Sequence, residues 1–180
     1  NIVIDPFLGK NSSPVLNNLF LEKSLANVKT LYNPMISDED GDSLSYQLEI
    51  PKQGIGTEVF DYQSLNSQDF YLSMFYAISN EANDGEPTFS ISPFDGNMIW
   101  DSPRLSGEYS AVIKIKEWRK VAGELFNISS IIYDFQITID ENDETLTRPT
   151  LLIPDTKCYN EDINETFQII ANGHLIKVKV

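Results

Sequence analysis

Residues 131–140 read IIYDFQITID, and this stretch decides the fold class. Every second position from Ile131 to Ile139 is apolar, and the residues between the last four of these positions are polar. A period of two places the apolar side chains on one face of an extended strand, where they can be buried. The stretch therefore predicts a β-strand with one face in a hydrophobic core.

The same period of two recurs elsewhere in the chain, in residues 43–50, 109–116 and 176–180. Phe89 and Ile91 lead through the sequence PFDG at 93–96 into the apolar residues 98–100. An Asp-Gly pair between two apolar runs is a strong signal for a β-hairpin. We therefore predict an all-β chain that forms a β-sandwich, with Trp100 in its core.

Two neighbouring segments are less regular. Residues 54–67 are polar and contain two glycines, which is typical of a long loop. Residues 68–79, QDFYLSMFYAIS, carry apolar side chains at most positions without alternation. This second segment fits either a buried strand or a short helix.

A long internal echo indicates tandem modules. Residues 136–151 follow the pattern of residues 1–16 at an offset of 135: Ile4-Asp5 returns as Ile139-Asp140, and Pro14 and Leu16 return as Pro149 and Leu151. A fixed long period is the mark of stacked modules. We predict that residues 1–12 are the last strand and linker of one module, that 13–140 are a complete module, and that 141–180 are a linker and the first strands of another.

The charge of the chain limits its partners. There are 27 acidic residues against 13 Lys and Arg, a formal net charge of -14. Phosphate backbones are bound by clustered Lys and Arg, so this balance argues against a nucleic-acid partner and favours cations. No run of 18 apolar residues is present, so we expect no integral membrane segment. Cys158 is the only cysteine, so no disulfide can form within this sequence.

Carboxylates are concentrated in the sequence DEDGD at 38–42. Ca²⁺ takes six to eight oxygen ligands in irregular geometry, so such a loop can converge on one ion. An EF-hand is excluded, because its sixth position would be Ser43 instead of glycine and the strand at 43–50 replaces the expected helix. The alternative is an Asp-rich turn that only enters the strand. We predict that calcium, if bound, lies near Asp38, Asp40 and Asp42.

Three stretches resemble the cadherin repeat in order and spacing. They read ISDED followed by LSY (36–40 and 44–46), FSISPFDGNMI (89–99) and ITIDEND (137–143). In that family, a DxD loop of one module and a DxND linker from the preceding strand share calcium ions at the junction.

The resemblance implies a set of calcium ligands divided between two junctions. The loop part is Asp38 and Asp40, and the linker part lies about 100 residues later. The repeat-equivalent of the loop at the second junction, residues 171–174, has no carboxylate. With Asp42 added from the loop, the candidate metal ligands are Asp38, Asp40, Asp42, Asp140, Asn142 and Asp143.

A second resemblance covers nearly the whole chain. Seven short stretches resemble, in order, the extracellular cadherin-like modules of large gliding-associated surface proteins of the Bacteroidota: NSSPVL (11–16), YNP (32–34), DGDSLSY (40–46), WDSP (100–103), GEY (107–109), EWR (117–119) and DFQI (134–137). This implies an Ig-like, cadherin-like Greek-key sandwich in tandem modules, export by the type IX secretion machinery, and an extracellular, cell-surface location. Expected partners are adjacent modules of the same chain, surface glycans and other cell-surface proteins.

Catalytic motifs are lacking in the sequence. His174 is the sole histidine, and no nucleophile motif stands beside it. Gly54-Ile55-Gly56 has neither the third glycine nor the strand-to-helix context of a nucleotide loop. We therefore expect a protein that is not an enzyme.

The sequence EWR at 117–119 allows two interpretations. Simple alternation after Ile115 puts Glu117 on the inner face of the strand and Trp118 on the outer face, where the indole could stack on a sugar or a partner. Alternatively, a β-bulge reverses the register and buries Trp118, with Arg119 paired to Glu117 or Asp134.

Two functional classes stay open at this point. The first is a spacer and interaction unit in a long surface adhesin, with calcium at its junctions. The second is an accessory carbohydrate-binding sandwich attached to a secreted enzyme. Exposed aromatic side chains in a row on one face would favour the second class.

Overall fold

The computed structural model describes residues 9–18, 21–141, 150–152, 166–171 and 174–179. Over these residues the regular secondary structure is β-strand, apart from two short 3₁₀ helices, and there is no α-helix. It divides into two compact units, Asn1–Glu141 and Asn142–Val180. The all-β prediction is confirmed.

Eleven strands are described in the first unit. They are β1 (Val15–Leu16), β2 (Lys23–Leu25), β3 (Thr30–Tyr32), β4 (Ile36–Ser37), β5 (Ser43–Glu49), β6 (Lys52–Gly54), β7 (Thr57–Glu58), β8 (Thr88–Ile91), β9 (Met98–Asp101), β10 (Gly107–Val121) and β11 (Glu124–Asp140).

The long hairpin of β10 and β11 organises the larger sheet. The two strands pair antiparallel from Gly107 opposite Ile139 to Val121 opposite Glu124. Their two-residue connection, Ala122-Gly123, has positive φ at both positions, which matches the twist of the flanking strands. Strand β5 pairs antiparallel with β10 on one side and β2 pairs parallel with β11 on the other, giving the order β2-β11-β10-β5.

The smaller sheet has the order β3-β9-β8. Strands β8 and β9 form the hairpin that the PFDG sequence predicts, with Phe89 opposite Trp100 and Ile91 opposite Met98. Gly96 in the turn has φ +71, a conformation that glycine adopts without steric cost.

The apolar faces of the two sheets pack against each other. The buried cluster joins Met98 and Trp100 of the smaller sheet to Tyr46, Tyr109 and other residues of the larger sheet. The rings of Trp100 and Tyr109 meet edge to face with centroids 5.1 Å apart. Each large side chain that is fully buried contributes about 1.5–3 kcal/mol relative to an exposed one. The arrangement is a two-layer β-sandwich, and the predicted core position of Trp100 is confirmed.

The two irregular segments fold between β5 and β8. Strands β6 and β7 form a small hairpin that overlaps the start of the segment interpreted as a loop. The apolar run that follows forms 3₁₀ helices at Gln68–Phe70 and Ser73–Ile78, so the short-helix alternative is confirmed. Only some of its side chains reach the interior: Tyr71 is buried and accepts a hydrogen bond from Trp100 Nε1 at 3.2 Å, whereas Met74 is exposed.

The second unit contains a three-stranded antiparallel sheet of β12 (Thr150–Leu152), β13 (Thr166–Ala171) and β14 (His174–Lys179). Strand β14 covers the predicted strand up to residue 179. Each copy of the sequence echo ends in a strand, because β1 and β12 begin 135 positions apart. The module boundaries at 12 and 140 stay a prediction.

Within the described residues, no helix has the length and apolar character needed to cross a membrane.

Candidate functional site

The carboxylate loop joins β4 to β5 and is organised by Asp38. Asp38 Oδ1 accepts hydrogen bonds from the backbone N–H groups of Asp40 and Asp42, each at 3.0 Å. This is the local turn that Asp side chains form readily with the backbone that follows them. Gly41 has φ +79, which lets the chain reverse into β5. Asp38 Oδ1 is thereby committed, and Oδ2 is left for another partner.

Strand β10 places Glu117 against this loop. Glu117 is fully buried, with a relative exposure of 0%, because it continues the inward-facing set of Tyr109, Ala111, Ile113 and Ile115. A bulge does occur here, but its extra residue is Ile128 on β11: Glu117 pairs with Ser129 and Trp118 with Asn127. The pairing of β10 with β5 is uninterrupted, so β10 keeps its alternation and Glu117 stays on the inner face.

Three carboxylates converge at this end of the sandwich. Asp38, Asp42 and Glu117 each offer one oxygen, and these oxygens all lie within 4.8 Å of one another. Asp38 Oδ2 and Glu117 Oε1 are buried and have no hydrogen-bond partner among the described residues. Burying a carboxylate oxygen without a partner costs free energy. These two acceptors therefore lack a compensating partner among the described residues.

Arg119 supplies the one described positive charge that touches the loop. Its Nε donates to Asp42 Oδ1 at 2.8 Å and its Nη2 donates to Asp42 Oδ2, a two-pronged pair. Nη2 also lies 3.6 Å from Asp40 Oδ2. The hydrogen bonds to Asp42 raise the pKa of Arg119, burial opposes this, and the charges of Asp42, Asp40 and Asp38 add to the increase. The guanidinium is a permanent counter-ion of the loop.

The segment that precedes β1 is tied to the same cluster. Arg119 Nη1 donates to the Lys10 carbonyl at 2.7 Å, and Nη2 donates to Asn11 Oδ1 at 2.9 Å. Asn11 Nδ2 donates to Glu117 Oε2, and the Ser12 backbone N–H donates to Asp40 Oδ2. Residues 10–12, the junction segment, are thus bonded to both β10 and the carboxylate loop.

The charge and donor types of the cluster fit a hard divalent cation. Four carboxylates, from Asp38, Asp40, Asp42 and Glu117, face the single guanidinium of Arg119, a formal balance of 4 - 1, or three negative charges. The atoms that could ligate a metal are carboxylate oxygens, which Ca²⁺ and Mg²⁺ prefer, and no His or Cys belongs to this group. Asp38, Asp42 and Glu117 are the residues that would hold such an ion.

The four predicted ligands that the structure describes lie in two places. Asp38, Asp40 and Asp42 lie together, although Asp40 and Asp42 are engaged by Arg119. Asp140 ends β11 eleven residues beyond Ser129, the partner of Glu117, which is about 36 Å of extended strand. It lies 4.0 Å from Lys23 Nζ. Asn142 and Asp143 are outside the described residues.

The sequence feature that points to Glu117 is the alternation of apolar residues along β10, which places Glu117 on the inward face. A carboxylate on the inward face of an otherwise apolar strand needs a buried partner, and this feature distinguishes Glu117 from the many surface acids. Its convergence with Asp38 depends on a pairing between distant segments, Glu117 opposite Leu44 in β5, which the sequence alone did not define.

Trp118 follows the simple alternation. It lies half-buried on the outer face of the larger sheet, and its Nε1 donates to Ser45 Oγ at 2.8 Å. The alternative in which a bulge buries Trp118 in the core is wrong, because the extra residue belongs to β11. The suggested partners of Arg119 also differ from the observed ones, which are Asp42 and Asp40.

A scan against protein-family models gave no match, and neither did searches of curated proteins and of solved structures.

Proposed function

We propose that this chain is a non-catalytic module of a secreted, cell-surface adhesin-type protein, in which it acts as a spacer and interaction unit. In this proposal the sandwich is an Ig-like Greek-key module of a tandem array, exported by the type IX secretion machinery and used in adhesion or gliding motility. A calcium ion held by Asp38, Asp42 and Glu117 fixes the junction segment onto the module.

One observation supports the calcium site above all others. The buried oxygens Asp38 Oδ2 and Glu117 Oε1 have no hydrogen-bond partner in the described part of the chain, and an oxygen of Asp42 lies within 4.8 Å of the oxygens that both residues offer. A divalent cation would satisfy both orphaned acceptors at once. Three protein oxygens leave room for water ligands, as is usual for Ca²⁺ sites of moderate affinity.

The location of the cluster supports a role at a junction. Residues 10–12 contact both Glu117 and the carboxylate loop, so an ion that holds the loop against Glu117 would also order the surface that binds the entering segment. In a tandem array, such an attachment restricts the angle between consecutive modules. Calcium would therefore stiffen the array without taking part in any reaction.

Calorimetric titration tests the calcium site directly. We expect the chain, stripped with EGTA and dialysed, to bind one Ca²⁺ at this cluster with measurable heat, and Glu117→Gln to lose that binding. Glu124→Gln is the matched control, because it makes the same change at an exposed position of the β10–β11 turn. Absence of heat with the unaltered chain, or equal binding by Glu117→Gln, contradicts the calcium part of the proposal. A proton shared between the orphaned oxygens would give no calcium heat.

The surface location needs a separate test on intact cells. Antibodies raised against the chain should label intact cells of the source organism, and brief protease treatment should remove the signal. Labelling that appears only after cell lysis contradicts the secreted location, whatever the outcome of the calcium titration.

A further inference from the structure

A cavity of about 460 Å³ lies on the larger sheet, beside the segment between β5 and β8. Strand β5 pairs with β10 only from Val112 to Trp118, so the first residues of β10 lack a strand partner on that side. The β5–β8 segment covers part of this edge: Tyr62 Oη donates to the Ser110 carbonyl at 3.4 Å, and the Phe70 ring meets the Tyr109 ring edge to face at 5.1 Å. The cavity lies beside these contacts and is partly open to solvent.

The walls of the cavity are apolar and its rim is acidic. Tyr62, Phe70 and Tyr109 supply aromatic surface, and the apolar lining continues with Pro51, Val59 and Leu65. Its charged residues are three acids and one base: Asp61, Glu108, Asp134 and Lys52. The formal balance of these four residues is 1 - 3, or two negative charges.

Two of the carboxylates have no partner within the cavity. Among the described residues, neither Glu108 nor Asp134 makes an ion pair or a side-chain hydrogen bond. Burial raises the pKa of Tyr62, and the negative charge of Asp134 raises it further. Both carboxylates are exposed, so the cavity combines aromatic surface with negative charge at a solvent-exposed rim.

This combination selects for organic cations. An ammonium group is attracted both to carboxylates and to the faces of aromatic rings, and its aliphatic stem can lie on the apolar lining. A neutral sugar could stack on Tyr62 but would leave the charge uncompensated, and an anion would be repelled. The volume is within the range of small-ligand sites, and it is larger than one side chain needs.

We infer that this cavity binds a protonated primary amine on an aliphatic stem, with the carboxylates of Glu108 and Asp134 at the rim attracting the ammonium group and Tyr62 packing on the stem. A lysine side chain of a partner protein and a free alkylamine share this chemistry. The site goes beyond the proposed junction function, because it lies away from Asp38, Asp42 and Glu117 and needs no metal.

The experiment is a nuclear magnetic resonance titration of the isotope-labelled chain with Nα-acetyl-lysine methylamide, carried out in EGTA. We expect saturable shifts of the Ser110 and Asp134 amides, with a Kd in the millimolar range that rises with added salt. Butylamine, as the free-amine probe, should give the same pattern. Tighter binding of the lysine derivative than of butylamine favours a protein partner, and the reverse favours a free amine.

Uncharged probes test the need for the positive charge without any change to the protein. Nα-acetyl-norleucine methylamide has the stem without the charge, and we expect its affinity to be lower by about tenfold. Equal affinity for this probe, preference for methyl glucoside, or absence of shifts with either amine overturns the inference.

Substitutions then test whether the two carboxylates contribute to binding. Glu108→Gln and Asp134→Asn should each weaken binding of the lysine derivative several-fold, and Glu86→Gln, at an exposed site outside the cavity, should leave it unchanged. Equal weakening by all three would indicate a general charge effect and overturn the assignment. The amide spectrum of each variant shows whether the fold is retained.

Discussion

The Arg119 guanidinium forms an ion pair with the carboxylate of Asp42 across a sequence separation of 77 residues, with Nε 2.8 Å from Oδ1. The same guanidinium donates to the Lys10 carbonyl and to Asn11. One side chain therefore joins β10, the start of β5 and the junction segment. Lysine cannot reproduce this geometry, because its ammonium group has no planar fork of donors.

Arg119→Lys should therefore destabilise the first unit even though the charge is retained. Loss of hydrogen bonds to a charged group costs about 1.5–3 kcal/mol, and we expect the free energy of unfolding to fall by an amount in that range. Urea unfolding in EGTA measures it. Arg104→Lys is the control, since Arg104 makes no ion pair among the described residues, and its change should stay within about 0.5 kcal/mol. Equal effects of the two substitutions would show that the pairing with Asp42 contributes nothing specific.

The strands could be predicted from local sequence because burial on one face leaves a period of two. The alternation in 131–139 and 109–116 and the Asp95-Gly96 turn each depend on neighbours within a few positions. The metal candidate could be predicted only in part. The loop carboxylates are close in sequence, whereas the approach of Asp38 to Glu117 depends on how β5 pairs with β10. The ion pair of Arg119 with Asp42 depends on the same pairing.

Gly96→Ala should destabilise the β8–β9 hairpin for two reasons. A residue with a side chain is strained at φ +71, and a Cβ there would lie 3.1 Å from Cε1 of the Tyr46 ring. The strain alone is worth about 1–2 kcal/mol, and the forced movement of a core ring adds to it. We expect thermal and urea unfolding to show a loss of about 2–4 kcal/mol in total.

Gly56→Ala separates these two contributions. Gly56 has φ +73 but nothing within 4 Å of its Cβ position, so only the backbone strain applies. Its loss of stability should be about 1–2 kcal/mol and clearly smaller than that of Gly96→Ala. If the two substitutions cost the same, the contact with Tyr46 has no energetic consequence.

We expect the folded chain to lose stability at alkaline pH because of the buried Tyr71. Burial raises its pKa from 10.0 to about 12, and the hydrogen bond from Trp100 only partly offsets this. The unfolded chain therefore loses the Tyr71 proton at lower pH than the folded chain does. The stabilisation is complete below pH 10 and is lost as the pH rises towards 12, with a slope of up to about 1.4 kcal/mol per pH unit.

Tyr71→Phe isolates this contribution from the other tyrosines. The variant should be less stable at pH 8 by about 1 kcal/mol, because Trp100 Nε1 loses its acceptor. Because the loss by pH 11.5 approaches about 2 kcal/mol, the difference from the unaltered chain should shrink above pH 10 and reverse its sign before pH 11.5, measured by urea unfolding at each pH. A difference that stays constant over this interval is evidence against a raised pKa at Tyr71.

Glu117→Gln should reverse its effect on stability when calcium is added. In EGTA we expect the variant to be at least as stable as the unaltered chain, because the amide removes a buried charge whose Oε1 has no partner, while its oxygen can still accept from Asn11. With Ca²⁺ at a hundred times the Kd, the unaltered chain gains about 2.7 kcal/mol and the variant gains little, so the order of their melting temperatures inverts. Glu124→Gln should behave as the unaltered chain in both conditions. Strong destabilisation of Glu117→Gln in EGTA would contradict this expectation. It would show that the Glu117 carboxylate stabilises the fold when no calcium is bound.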